Sequence, residues 1–259
     1  MNSPTRLDGK ISFEHLDFRY RPQLPLALND INLEIEAGQS VALVGRTGSG
    51  KSTLIALLQR FYDPSGGRIL IDGQSIVGID KHVLRSRVGV VQQDTFLFRG
   101  TIAENISLGD SKIPRERVEN AAKLASLTDV IAKRAGGLDA KVEERGANLS
   151  VGERQLIAFA RILAFDPDIL ILDEATANID SKTESLIQEA TQRVRQGRTS
   201  FIIAHRISTI MDCDKIVVLD HAQIQEIGTH AELYQRGGIY TALCQAQLKT
   251  SQLIPIQTT

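Results

Sequence analysis

The sequence predicts an α/β fold in which a mainly parallel sheet carries an antiparallel β section and a helical insertion. Three observations predict it. Short, dense apolar runs at 41–44, 88–91, 169–172, 201–204 and 216–219 have the length and β-branched content of parallel strands buried on both faces. Helix-like stretches at 52–61, 150–164 and 182–195 lie between several of these runs, the interleaving that marks an α/β sheet. Between about residues 101 and 149 the strand signal stops, and 115–127 and 129–135 read as short helices.

Taken in order, the first elements are antiparallel. Ile11 and Phe13, then Leu16, Phe18 and Tyr20, sit at every second position, with a phase slip near His15 that predicts a bulge. Ile31, Leu33 and Ile35 alternate with Asn32, Glu34 and Glu36, the pattern of a half-buried antiparallel strand. Asp72-Gly73 lies between apolar stretches within 68–76 and predicts a hairpin. No internal repeat or low-complexity segment is present, and the tail after Gln247 reads as frayed.

Composition narrows the function. The 259 residues, 42% of them apolar, suffice for one large core or two small ones. Thirty basic against thirty-one acidic residues argue against a dominant nucleic-acid or anionic-lipid surface. No apolar run approaches the roughly 18 residues that cross a bilayer, and the first ten residues read as a polar linker rather than a secretion signal. Cys213 and Cys244 are far apart and outside any CxxC pattern, which disfavours a disulfide scaffold or a cysteine zinc site.

The strongest chemical signal is Gly45-Arg46-Thr47-Gly48-Ser49-Gly50-Lys51-Ser52, followed by Thr53. It fits GxxxxGK[ST] directly after a predicted strand and before a predicted helix, the context that gives the motif meaning. Glycines let successive N–H groups turn inward as a nest for phosphate oxygens, and the helix adds its positive end. Lys51 supplies a point charge for β- and γ-phosphates, and Ser52 a hydroxyl for Mg²⁺. The run at 169–172 ends in Asp173-Glu174, which puts Asp173 where a carboxylate directed at Mg²⁺ is needed. Glu174 stands where an attacking water would be oriented and deprotonated. Read alone, these acids are also compatible with a solvated turn, and His205, after 201–204, with a structural histidine. Gly45, Asp173 and His205 nevertheless all follow apolar strands, and open α/β sheets bind ligands beyond the carboxyl ends of their strands.

With Leu149-Ser150-Val151-Gly152-Glu153 roughly twenty residues before Asp173, the chain resembles the nucleotide-binding domains of ATP-binding cassette (ABC) transporters, whose signature is LSGGQ. The resemblance spans about residues 11–245 and implies a P-loop NTPase (RecA-like) core, an antiparallel β subdomain and a helical subdomain. It divides the chain into a linker (1–10), the β subdomain with the first part of the ATP-binding core (11–92), and the Q-loop and helical subdomain with the signature (93–164). The second part of the core (165–245) and a C-terminal tail (246–259) follow. It implies ATP and Mg²⁺ as ligands. Tyr20 matches the aromatic that stacks on adenine, Gln93 the loop glutamine that contacts Mg²⁺, Asp180 the D-loop aspartate that meets the opposite subunit, and His205 the switch histidine on the γ-phosphate. Without the resemblance, Tyr20 reads as packing, Gln93 as a surface amide and Asp180 as a helix cap. Two departures stand out: Val151 replaces the first signature glycine and Glu153 the glutamine. Ser150-x-x-Glu153 is itself a capping box, which assigns Glu153 to the helix start and leaves Ser150 and the Gly152 N–H for phosphate.

The resemblance further implies head-to-tail dimerisation, in which each of two ATP molecules is held by one subunit's phosphate loop and the other's signature. Residues 94–98, 100–105 and 144–146 resemble exporter loops that touch a transmembrane partner. The reading is therefore an exporter's ATPase domain on the cytoplasmic side of the membrane, excised from a longer chain. Its partners are a second nucleotide-binding domain, identical or not, and a membrane domain that supplies its only membrane contact; nucleic acid is not among them. The alternatives are a separate importer subunit, which the length suits, and a non-transport ABC ATPase. A GTP-binding switch is weaker, because no NKxD motif is present.

Overall fold

The computed structural model describes residues 6–92, 94–173, 181–203 and 207–252. They fall into two compact units, Met1–Leu84 with Thr199–Thr259, and Arg85–Arg198. In the first unit β1 (Ile11–Phe18) pairs antiparallel with β2 (Leu28–Ile35), as the alternation predicts. The register shifts between Phe13 and Leu16, and His15 between them takes φ 48°. That bulge lets Phe13, Leu16 and Phe18 all stay buried despite the phase slip. After β3 (Ser40–Val44) and α1 (Lys51–Leu58), β4 (Gly66–Ile71) and β5 (Gln74–Ser75) form the expected hairpin. Its turn residues Asp72 and Gly73 have φ 50° and 76°, the positive pair that a tight hairpin of matching twist demands. The Asp72 carboxylate also accepts the N–H groups of Asp8, Gly9 and Lys10 at 2.9, 3.0 and 2.9 Å, tying the entering chain to the sheet β2-β1-β4-β5.

The helix α2 (Lys81–Arg87) leads into the second unit, where β6 (Val88–Val91) will pair with a later strand. There follow β7 (Gly100–Thr101), α3 (Ile102–Ser107), α4 (Arg115–Leu124), α5 (Thr128–Ala132), β8 (Lys141–Val142), α6 (Val151–Phe165), β9 (Ile169–Asp173) and α7 (Ser181–Arg195). Two differences from the sequence reading appear. The two-residue strands β7 and β8 pair within the stretch expected to be strand-free, because two residues leave no periodicity to detect. Helix α3 was not anticipated, although its capping box, Thr101 with Glu104, is written in the sequence. Helix α6 forms the centre of this unit: α3, α4, α7 and β6 all pack on it, and Leu156, Ile157, Phe159 and Ala160 are buried. β6 and β9 run parallel with Val91 opposite Leu172.

The chain re-enters the first unit at β10 (Thr199–Ile203) and continues through α8 (Ile207–Met211), β11 (Lys215–Asp220), β12 (Gln223–Gly228), α9 (His230–Arg236) and α10 (Ile239–Gln252). β3 lies between β10 and β11 and is parallel to both, as the dense apolar runs predict. All five residues of β3 are buried, and Phe13 meets Phe201 edge-on at 6.4 Å between ring centres. The hairpin β11–β12 is an addition, since its turn, His221-Ala222 with φ 46° and 63°, lacks the Gly or Asn that usually announces one. Helix α10 runs to Gln252, beyond the point at which the sequence suggests fraying. Among the described residues no helix is long and apolar enough to cross a membrane.

The start of β3 is held by a reciprocal clasp: the Ser40 N–H and hydroxyl donate to Asp214 Oδ2 at 2.8 and 2.6 Å, and the Asp214 N–H donates to Ser40 Oγ at 3.0 Å. Asp214→Ala leaves the buried Ser40 donors without that acceptor and should lower stability by about 1–3 kcal/mol, measured by chemical denaturation.

Candidate functional site

The phosphate loop leaves β3 at Val44 and enters α1 at Lys51. Two glycines are required there by geometry. At Gly45, with φ 150°, a Cβ would stand 2.1 Å from the Leu219 carbonyl oxygen of β11. At Gly50, with φ 110°, it would stand 2.9 Å from Ala27 O and 2.7 Å from Leu28 Cδ2. Both are too close for any side chain, so the loop is pressed against neighbouring strands and its amides are held in place. Arg46, Thr47 and Gly48 form the exposed crest, while Ser49 is buried and donates its N–H to Arg46 O at 3.1 Å. Lys51 Nζ donates to the carbonyls of Gly45 at 2.7 Å and Arg46 at 3.0 Å, which stations the ammonium at the mouth of the loop.

Helix α1 begins unlike α3, α6 and α9. Each of those starts with a capping box, in which side chains satisfy two of the first backbone donors. The N-cap of α1 is Gly50, with no side-chain cap and no acid in the first turn. No side chain of its N-cap therefore competes with an external anion for the positive end of this helix. Ser52 is exposed on this first turn.

Tyr20 lies beside the same helix. Its hydroxyl is 3.0 Å from Thr53 Oγ1, and its ring packs edge-on against Phe18 and Tyr62 at 5.0 and 5.3 Å. About half the residue remains exposed, so a fixed aromatic face stands next to the phosphate loop. Tyr62 was not singled out in the sequence; it follows a helix and carries no motif, and only the fold brings it to Tyr20. Gly45, Arg46, Thr47, Gly48, Ser49, Gly50, Lys51, Ser52, Thr53 and Tyr20 are thus brought together in one unit.

Asp173 ends β9, on the edge where the parallel strand β6 ends at Val91. Gln93, Glu174, Asp180 and His205 lie outside the described residues. β10, which precedes His205, runs parallel to β3, so its carboxyl end shares the edge from which the phosphate loop departs.

In the second unit the signature residues form the start of α6. Ser150 is the N-cap; the Glu153 N–H donates to Ser150 Oγ at 3.2 Å, and the Ser150 N–H donates to Glu153 Oε2 at 2.8 Å. The capping box expected from the sequence is formed. Glu153 Oε1 accepts from Arg134 Nη2 at 3.0 Å. Burial raises the Glu153 pKa, but the Ser150 N–H and Arg134 outweigh it, and the carboxyl is held below its ordinary value and ionised at neutral pH. The structure also separates the two signature positions that are usually glycine. A Cβ on Gly152 would fall 2.1 Å from Thr183 Cγ2 of α7, whereas Val151 is 44% exposed. Only the second position lacks room for a side chain, which explains why valine is accepted at the first.

The loop at 94–98 presents Phe96 and Phe98, both about half exposed and 5.0 Å apart edge-on. Buried Asn105 holds it, accepting the Phe98 N–H at 2.8 Å and donating to Phe98 O and Thr101 O at 2.9 Å.

Comparison with known proteins agrees with this geometry. The ABC transporter family model matches residues 28–177. YknV of Bacillus subtilis (strain 168), an uncharacterized ABC transporter ATP-binding protein, is 48% identical over 246 residues, covering 95% of this chain and 41% of its own. The leukotoxin translocation ATP-binding protein LktB of Mannheimia haemolytica is 47% identical, covering 96% of this chain and 37% of its own. A bacterial Atm1-family ABC exporter solved with ATP bound superposes with a TM-score of 0.86 at 41% identity, over 99% of this chain and 44% of that one. The chain spans about two fifths of the length of these relatives. The chain belongs to the ABC transporter family and is one of its ATP-binding domains, which are ATPases.

Proposed function

We propose that the chain is the ATP-hydrolysing motor of an exporter, paired head to tail with a second nucleotide-binding domain and docked on a membrane domain. The observation that carries this reading is the uncapped start of α1, with Lys51 stationed at a glycine loop too tightly packed to admit side chains. Such a site is built for a phosphate chain. In the proposal Tyr20 stacks on adenine, the loop of residues 45–53 with its Lys51 grips the phosphates, and the oxygens of Ser52, Gln93 and Asp173 suit Mg²⁺. That ion, when bound, neutralises charge on the β- and γ-phosphate oxygens. Glu174 takes a proton from the attacking water as its oxygen bonds to the γ-phosphorus and the bridge to ADP breaks. His205 steadies the departing γ-phosphate, and Asp180 meets the partner subunit.

Ser150 and the Gly152 N–H, at the start of α6, close the second face of an ATP held by the partner. Binding of ATP favours the closed pair, and release of phosphate removes the shared anion, so the pair reopens. The exposed Phe96 and Phe98 offer an apolar contact for a segment of the membrane domain, through which alone this domain touches the membrane, on its cytoplasmic side. Export rather than import is supported by the translocation role named for LktB and by the exporter whose structure this chain resembles.

Lys51→Ala should weaken ATP binding by roughly 10- to 100-fold, the worth of a charge-assisted hydrogen bond of about 1.5–3 kcal/mol, as read by titration calorimetry. Glu174→Gln should bind ATP normally, lose roughly 10²- to 10⁴-fold in turnover, and elute as an ATP-dependent dimer in size-exclusion chromatography. A monomer at saturating ATP would refute the paired arrangement, and fast turnover would refute Glu174 as the base.

A further inference from the structure

The ion pair beside the signature addresses an electrostatic difficulty. An anion approaching the start of α6 benefits from the helix dipole, but Glu153 places a full negative charge in the first turn of that helix. Left uncompensated in a part-buried setting, the carboxylate would oppose phosphate over several ångströms. Both its oxygens are engaged, Oε2 by the Ser150 N–H and Oε1 by Arg134. The two side chains are 23% and 24% exposed, less open to solvent screening than an ordinary surface pair.

Arg134 is delivered by a backbone turn rather than by a regular helix face. Its N–H donates to Ile131 O at 3.1 Å, and its carbonyl accepts the Gly137 N–H at 3.0 Å. The only carboxylate its guanidinium meets among the described residues is Glu153, and its buried Nε finds no acceptor among them. An arginine held part-buried with one nitrogen unsatisfied carries a cost, and its charge-assisted bond to Glu153 is the return visible in the structure.

We propose that Arg134 is a positioning residue of the signature: it turns the Glu153 carboxylate to the helix start and cancels its charge, so that the γ-phosphate of an ATP held by the partner meets a neutral edge. This rests on the head-to-tail reading above. It assigns Glu153 and Arg134 together to the place where the family signature has a neutral glutamine.

The test is the ATP concentration for half-maximal dimerisation, measured by light scattering in the Glu174→Gln background. Arg134→Ala should raise it at least about tenfold (about 1.4 kcal/mol). Glu153→Gln alone should change it by less than about threefold (about 0.65 kcal/mol). The double variant Arg134→Ala with Glu153→Gln should return to within about threefold of the parent, and Arg134→Lys, which keeps the charge, should stay near it. Circular dichroism melts of each variant establish that it is folded.

A defect in Arg134→Ala that Glu153→Gln does not rescue would show a packing role and overturn the proposal. So would an Arg134→Ala variant indistinguishable from the parent, or a tenfold gain from Glu153→Gln alone, which would mean that the carboxylate is not compensated. A parent that fails to dimerise with ATP removes the head-to-tail reading and this proposal with it. A parent that dimerises, with the charge pattern absent, removes only the role of Arg134.

Discussion

The passage from β3 into α1 is the constraint on which the rest of the domain depends. A strand buried along its whole length ends at Val44, and the chain must turn within a few residues into a helix whose N-cap glycine supplies no side-chain cap. Gly45 lies against the Leu219 carbonyl and Gly50 against the Ala27 carbonyl, so the turn is set by strands on both sides of it rather than by its own residues. This stiffness matters for binding. A loop whose backbone is fixed before an anion arrives loses less of the binding free energy to ordering than a mobile glycine loop would. The clasp between Ser40 and Asp214 extends the same rigidity to the far end of β3.

Helix starts differ in this chain: α1, α4 and α5 have no side-chain cap, and of these only α1 also lacks an acid in its first turn. Helices α3 and α9 satisfy two donors at their starts, the N-cap and third-residue N–H groups, with their own side chains. Helix α1 has a glycine N-cap and no side-chain cap. Helix α6 is intermediate: it is capped, yet the cap includes a carboxylate that is itself paired with Arg134. The same four-residue motif thus occurs at three helix starts, and at α6 its carboxylate also pairs with an arginine from outside the helix.

Much of the fold could be read directly from the residues. The β1 bulge followed from the slip around His15, the β4–β5 hairpin from Asp72-Gly73, and the parallel strands from their short apolar runs, because each depends on periodicity or on backbone conformations that few residues tolerate. The β11–β12 hairpin was hidden because His221 and Ala222 adopt left-handed conformations that their side chains do not advertise. β7 and β8 were hidden by their brevity.

What the sequence determined by itself about this protein is local: a phosphate loop between a buried strand and a helix, a capping box at Ser150 and Glu153, and an alternation of strands and helices. These features are written in neighbouring residues, through hydrogen bonds and side-chain periods that span a few positions. The tertiary structure alone decided which distant residues meet. It brought Tyr62 and Thr53 to Tyr20, set Leu219 against Gly45, left no room at Gly152 beneath Thr183, and put Arg134 on Glu153. None of these pairings leaves a periodic trace, because each arises where packed elements cross, and the contact exists only once the chain has folded.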